Sequence, residues 1–176
     1  MSIEDSTIQL ASNSVEQTMA IAEAVAKAAK SGDMIGLVGE LGAGKTQFVR
    51  GLAVGLGISP RLVSSPTFVF LQEYPVDEGD PVSLVLTHID AYRLAGADDL
   101  QSIGWDGDGQ ELRHGAVLAV EWADRIEDAL GADWLKVALE HTDAGRIITL
   151  WPHGVWRDRM HVLRQDLEHL TQHKEA

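Results

Sequence analysis

The stretch Gly39-Glu-Leu-Gly-Ala-Gly-Lys45-Thr46 fits the pattern G-x-x-x-x-G-K-[ST] at every position. Each residue type there has a chemical reason. Glycines let successive backbone N–H groups turn inward around phosphate oxygens. The N-terminus of a following helix adds free donors and a favourable dipole. Lys45 would reach the β and γ phosphates, and Thr46 would offer its hydroxyl to Mg²⁺. A Mg-nucleotide site also needs carboxylates, which in an open α/β sheet belong at the C-terminal ends of strands. Asp90 follows the run Ser83-Leu-Val-Leu-Thr-His-Ile89, and Glu121 follows Ala116-Val-Leu-Ala-Val120. Either carboxylate is suited to hold Mg²⁺, directly or through water, or to orient an attacking water.

Other residues near these positions have weaker claims. His88 is two residues from Asp90, so a strand places both on one face. The expected role for it is a neutral core histidine or one that supports the site. Arg93 is expected in a structural ion pair. Pro66 restricts Ser65 to extended geometry, so the Ser-Ser-Pro-Thr turn can present Thr67 toward a γ-phosphate. Trp122 is either core or a cover for the site. Trp105 lies in a glycine-rich stretch and is expected to be exposed, as a residue that docks a partner. The only asparagine is Asn13, ahead of the loop, so no Asn-Lys-x-Asp segment exists to read guanine. ATP is the expected nucleotide.

These residues need elements to hold them. Met34–Val38 and Ala116–Glu121 are apolar without alternation, as strands buried on both faces should be. Residues 7–11 form a short strand. Ser14 caps a helix, with Gln17 as its box partner, that includes the Ala-rich stretch Ala20–Ala29 and ends at Gly32. Lys45–Leu56 is helical, with Phe48, Val49, Leu52 and Leu56 on one side. Residues 68–74 pair with 82–89, and 134–140 pair with 146–151, around polar turns. A short acidic helix starts at Asp98, another helix spans Ala123–Leu130, and a terminal one runs from about Val155 to His169. Strands alternating with helices give an α/β fold with a mixed, mainly parallel central sheet.

The whole chain, 176 residues, is expected to be one domain. Its 14 basic and 27 acidic residues give a net charge of −13. That field repels polyphosphate polymers, so direct nucleic-acid binding is not expected and a basic protein partner is. The chain has no cysteine, which excludes disulfides, thiol catalysis and thiolate metal sites. It has no long apolar run and no basic–apolar start of a signal peptide, so a cytoplasmic location without membrane contact is expected.

Four ordered segments resemble the TsaE (YjeE) family of small P-loop ATPases required in bacteria for threonylcarbamoyladenosine modification of tRNA. They are Gly39–Thr46, the turn Ser65-Pro-Thr-Phe68, His88-Ile-Asp90-Ala-Tyr-Arg93, and Val120-Glu-Trp122. The resemblance covers roughly residues 12–151. It implies a P-loop NTPase-like three-layer sandwich. Nucleotide contacts are implied for Gly39, Glu40, Leu41, Gly42, Ala43, Gly44, Lys45, Thr46 and Gln47, together with Thr18, Thr67, Trp122 and Arg146. It implies Thr46, Asp90 and Glu121 around Mg²⁺, and Lys45, Asp90 and Glu121 as the residues of hydrolysis. It also implies TsaB- and TsaD-like partners, tRNA contact only through them, weak ATP hydrolysis by the isolated chain, and a monomer when alone. Ala123 stands where many members carry proline. The terminal helix lies beyond the matching motifs and is expected as an addition on the sheet edge. Two other functions share the phosphate loop: a small-molecule kinase, and a nucleotide-sensing scaffold with little hydrolysis. The kinase normally carries arginines in a lid, whereas residues 98–110 supply acids and glycines.

Overall fold

A computed structural model describes residues 7–66, 70–77, 84–94 and 97–172. Its strands are β1 (Ile8–Ser12), β2 (Met34–Val38), β3 (Leu71–Pro75), β4 (Val85–Asp90), β5 (Ala116–Glu121), β6 (Leu135–Thr142) and β7 (Gly145–Pro152). They form one sheet in the order β1-β7-β6-β2-β5-β4-β3. The central pairings, β6–β2, β2–β5 and β5–β4, are parallel. The outer ones, β1–β7, β7–β6 and β4–β3, are antiparallel. Both expected antiparallel pairs are present. Residues 67–69 and 78–83, where parts of the first pair and its loop were expected, lie outside the described residues.

The apolar strands have two covered faces because two layers pack on them. Ile35, Leu37, Val117 and Ala119 share a core with α1 (Val15–Ala28) and α2 (Lys45–Gly55). Met34, Leu118 and Val120 face a second core built from Trp105, Ile126, Leu130 and Trp134. The result is a three-layer α/β arrangement. Gly36, in the middle of β2, has no room for a side chain. A Cβ there would lie 2.6 Å from the Trp134 ring and 2.9 Å from the Ala123 Cβ.

Helix α1 starts as its sequence dictates. Ser14 Oγ accepts the Gln17 N–H at 3.2 Å, and the Gln17 side chain accepts in return from the Asn13 N–H. The helix then crosses α2 closely. A Cβ on Gly51 would sit 2.4 Å from the Met19 carbonyl oxygen, and one on Gly55 would sit 2.6 Å from the Ala26 Cβ.

Three expectations are corrected. Trp105 is buried: its Nε1–H donates to the Ala129 carbonyl at 3.3 Å. Gly109, with φ of 75°, allows the chain to fold against the indole, 2.9 Å from where a Cβ would stand. The glycines around Trp105 thus make room for an inward ring. Residues 123–129 form 3-10 turns, not an α-helix, because Ile126 leaves helical geometry at φ −128°. The terminal segment is a 3-10 turn (Gly154–Arg159) followed by α5 (Met160–Gln172). Trp156, Met160, Leu163 and Leu167 join the core shared with α1 and α2, so this segment is built into a layer instead of lying on the sheet edge. The remaining short helices are α3 (Ala97–Ser102) and α4 (Gln110–Arg113). Among the described residues no helix is long and apolar enough to cross a membrane.

Candidate nucleotide site

Strand order places the chemistry at one end of the sheet. Strands β2, β5 and β4 are parallel neighbours, with Leu37 beside Glu121 and Glu121 beside Asp90. The loop that leaves β2 therefore rises next to both carboxylates. Its glycines take backbone angles that side chains disfavour, with φ of 152° at Gly39, 79° at Gly42 and 108° at Gly44. A Cβ on Gly39 would lie 2.4 Å from the Leu139 carbonyl oxygen. Ala43 is buried beneath the turn. The loop ends where α2 begins, so free N–H groups of the first helical turn face the same space.

A cleft of about 460 Å³ opens there. Leu41, Gly42, Gly44, Lys45, Thr46 and Gln47 line one side. Asp90, Glu121 and Trp122 line the other, so residues from three separate chain segments meet as expected. Lys45 is only 4% exposed. Its Nζ donates to the carbonyls of Gly39 at 2.6 Å and Glu40 at 2.9 Å, and sits 3.5 Å from the centre of a Trp122 ring. Burial lowers the Lys45 pKa from its ordinary value, while the negative charges of Glu121, Asp124 and Asp90 pull it back upward. Thr46 Oγ1 donates to Glu121 Oε1 at 2.8 Å.

Asp90 is the last residue of β4 and is 3% exposed. Its Oδ1 accepts the Tyr92 N–H at 3.0 Å, which caps a short 3-10 turn (Ala91–Arg93). Its Oδ2 accepts from Ser65 Oγ at 3.2 Å. Trp122 follows Glu121 in left-handed geometry, φ 60°, a conformation that costs a non-glycine residue about 1–3 kcal/mol. This bend ends β5 directly after the carboxylate. It turns the indole toward Lys45 and toward Tyr92, whose ring centre is 4.9 Å away.

Thr18 and Arg146 meet each other behind the loop. Arg146 Nη1 donates to Thr18 Oγ1 at 3.5 Å, and the guanidinium lies 3.5 Å from where a Gly44 Cβ would be. Arg146 packs against the loop at Gly44, and neither residue is in the cleft lining. Thr67 is outside the described residues. Sequence reasoning passed over Ser65 and Tyr92, which both line the cleft. Their signals were available: Ser65 is held extended by Pro66, and Tyr92 is placed by the Asp90 cap. His88 is fully buried, with Nε2 2.9 Å from Glu121 Oε1, so it supports the site from the core.

The family model described as threonylcarbamoyl adenosine biosynthesis protein TsaE matches residues 12–148. The chain belongs to the TsaE family. That family is involved in tRNA threonylcarbamoyladenosine biosynthesis. TsaE of Bacillus subtilis (strain 168) is 43% identical over 141 residues, 79% of this chain and 82% of the relative. TsaE of Streptomyces coelicolor is 38% identical over 118 residues, 66% of this chain and 74% of the relative. The crystal structure of Bacillus subtilis YdiB superposes with a TM-score of 0.64 at 35% identity, covering 94% of this chain and 95% of that one. That likeness, with the mixed sheet and its flanking helices, gives this TsaE-family chain a P-loop NTPase-like α/β fold.

Proposed function

We propose that the protein binds and slowly hydrolyses ATP with Mg²⁺, as an accessory subunit acting on TsaB- and TsaD-like partners in the tRNA modification. The single observation that carries this reading is the convergence at the loop. A buried Lys45 and the Thr46–Glu121 hydrogen bond stand at the N-terminus of α2, beside Asp90. Backbone N–H groups and Lys45 would hold the polyphosphate. The Lys45 ammonium now rests on two carbonyls of its own loop, partners that a phosphate would replace with full charge.

Thr46, Asp90 and Glu121 present only oxygen donors, the set that Mg²⁺ prefers. Among the described residues no three His, Cys, Asp or Glu side chains group into a self-sufficient metal site. A Mg²⁺ that draws its remaining ligands from phosphates and water suits such a set. When bound, the ion would neutralise charge developing on the phosphates. Asp90 and Glu121 are the candidates to orient the attacking water. The segment from 97 to 113 buries Trp105, and its only arginine, Arg113, is tied to the carbonyl oxygens of Gly32 and Asp133. That disfavours the arginine-bearing lid of a kinase.

Calorimetry on the folded protein with Mg²⁺ and ATP tests the reading. Binding is expected, with Lys45→Ala weakening it or slowing turnover by about 100-fold or more. Wild-type protein that binds no adenine nucleotide at millimolar concentration overturns it, as does normal hydrolysis by Lys45→Ala.

A further inference from the structure

His88 is fully buried on β4, opposite Ala119 of β5 and one alternation before the Asp90–Glu121 pair. Its two ring nitrogens have different surroundings. Nε2 lies 2.9 Å from Glu121 Oε1. Nδ1 is buried and has no hydrogen-bond partner among the described residues. The tautomer follows from this asymmetry. With the proton on Nδ1, the ring would bury an orphan donor and would turn the Nε2 lone pair toward a carboxylate lone pair. With the proton on Nε2, the ring donates to Glu121, and only a bare acceptor is left in the core. The second arrangement avoids both the repulsion and the stranded N–H.

Glu121 Oε1 then receives two donors, His88 Nε2–H and the Thr46 hydroxyl at 2.8 Å. Oε2 has no hydrogen-bond partner among the described residues. We propose that His88 is a positioning residue for the hydrolytic site. By donating from Nε2 it pins one oxygen of Glu121 against Thr46 and reserves the other oxygen, Oε2, for water or cation in the cleft. The inference rests on the hydrolytic reading given above. It adds the group that decides which carboxylate oxygen does the work, and it keeps the Thr46 lone pairs free by engaging that hydroxyl as a donor.

Two measurements on the full chain test it. In protein labelled with ¹⁵N at histidine, long-range ¹H–¹⁵N correlation spectra should show one ring protonated at Nε2 and bare at Nδ1. His88→Gln removes that signal and so assigns it. A signal with the proton on Nδ1 overturns the proposal. The second measurement compares His88→Leu with His88→Gln, which keeps a donor near Nε2. In His88→Leu, turnover should fall about 10- to 100-fold while ATP affinity stays within about twofold, and His88→Gln should recover most of the loss. Leu turning over like wild type overturns the proposal. So do Leu and Gln variants that are equally slow, since that marks a packing role. If wild-type protein binds ATP but never hydrolyses it, alone or with its partners, the hydrolytic reading fails, and the ring spectrum still decides the His88–Glu121 bond on its own.

Discussion

The two ends of the sheet use buried charge in opposite ways. At the end away from the cleft, Asp33 pairs with Arg159 and also accepts the Lys30 N–H at 2.6 Å. Arg113 there donates to the carbonyls of Gly32 and Asp133. Each of these charges ties separate elements together: the β2 entry to the terminal segment, and α4 to the turns before β2 and β6. At the cleft end, Lys45 donates hydrogen bonds only to carbonyls of its own loop, and no carboxylate lies within ion-pair distance of it among the described residues. Its ammonium makes no hydrogen bond to a distant element. The ammonium is desolvated and lacks opposite charge in contact, which suits it to a charged ligand. Buried ions that are matched within the fold serve its stability. Those left short of a counterion mark where a ligand completes the set.

This contrast can be broken by mutation. The largest effect is expected at the cleft: Glu121→Gln should cut ATP turnover by about 100- to 1000-fold while leaving ATP affinity within about threefold. A urea midpoint equal to wild type, measured on the same preparation, would confirm that the carboxylate contributes little to folding. A collapse of stability would erase the distinction between the two ends. At the far end the pattern should reverse. Arg159→Met should cost about 2 kcal/mol, less than the roughly 3–5 of a fully buried pair, because the Arg159 side chain is 21% exposed. Nucleotide affinity of that variant should stay unchanged in calorimetry.

The smallest effect is a pH dependence that sharpens the account of Lys45. Its pKa in the fold is lowered by burial from 10.5. Between that lowered value and 10.5 the unfolded chain binds the proton more tightly than the native one, so stability rises with pH across the window. Lys45→Met has no such gain. Its urea midpoint relative to wild type should therefore be most favourable near neutral pH and should lose ground as pH climbs toward 10.5. A constant difference would show that Lys45 is not held at a desolvation cost.

How much of this was legible in the sequence varies by element. Strands β2 and β5 were clear because a run such as Met34-Ile-Gly-Leu-Val38 is apolar on both faces and fits only a central strand. Helix α2 and its loop were clear because glycine spacing and an amphipathic stripe coincide. The carboxylates could be placed because both end apolar strand runs. Trp105 was misjudged because glycines near an aromatic look the same in sequence whether they make a loose tip or clear space for an inward ring. The contact of Thr18 with Arg146 spans 128 residues and depends on how β1, α1 and β7 come together. No local pattern carries it, and only the resemblance pointed to those two positions. The partnership of His88 with Glu121 needed strand register, which periodicity alone does not supply.

The missing side chain at position 36 has a mechanical meaning. Trp134, the residue before β6, and Ala123, the second residue after Glu121, both rest on the same bare backbone. Even one methyl group at that spot would have to displace the indole or lever the Ala123 turn outward, and Trp122 and Glu121 would travel with it. A position with no side chain and no place in the cleft lining thereby sets how far apart the walls of that cleft stand.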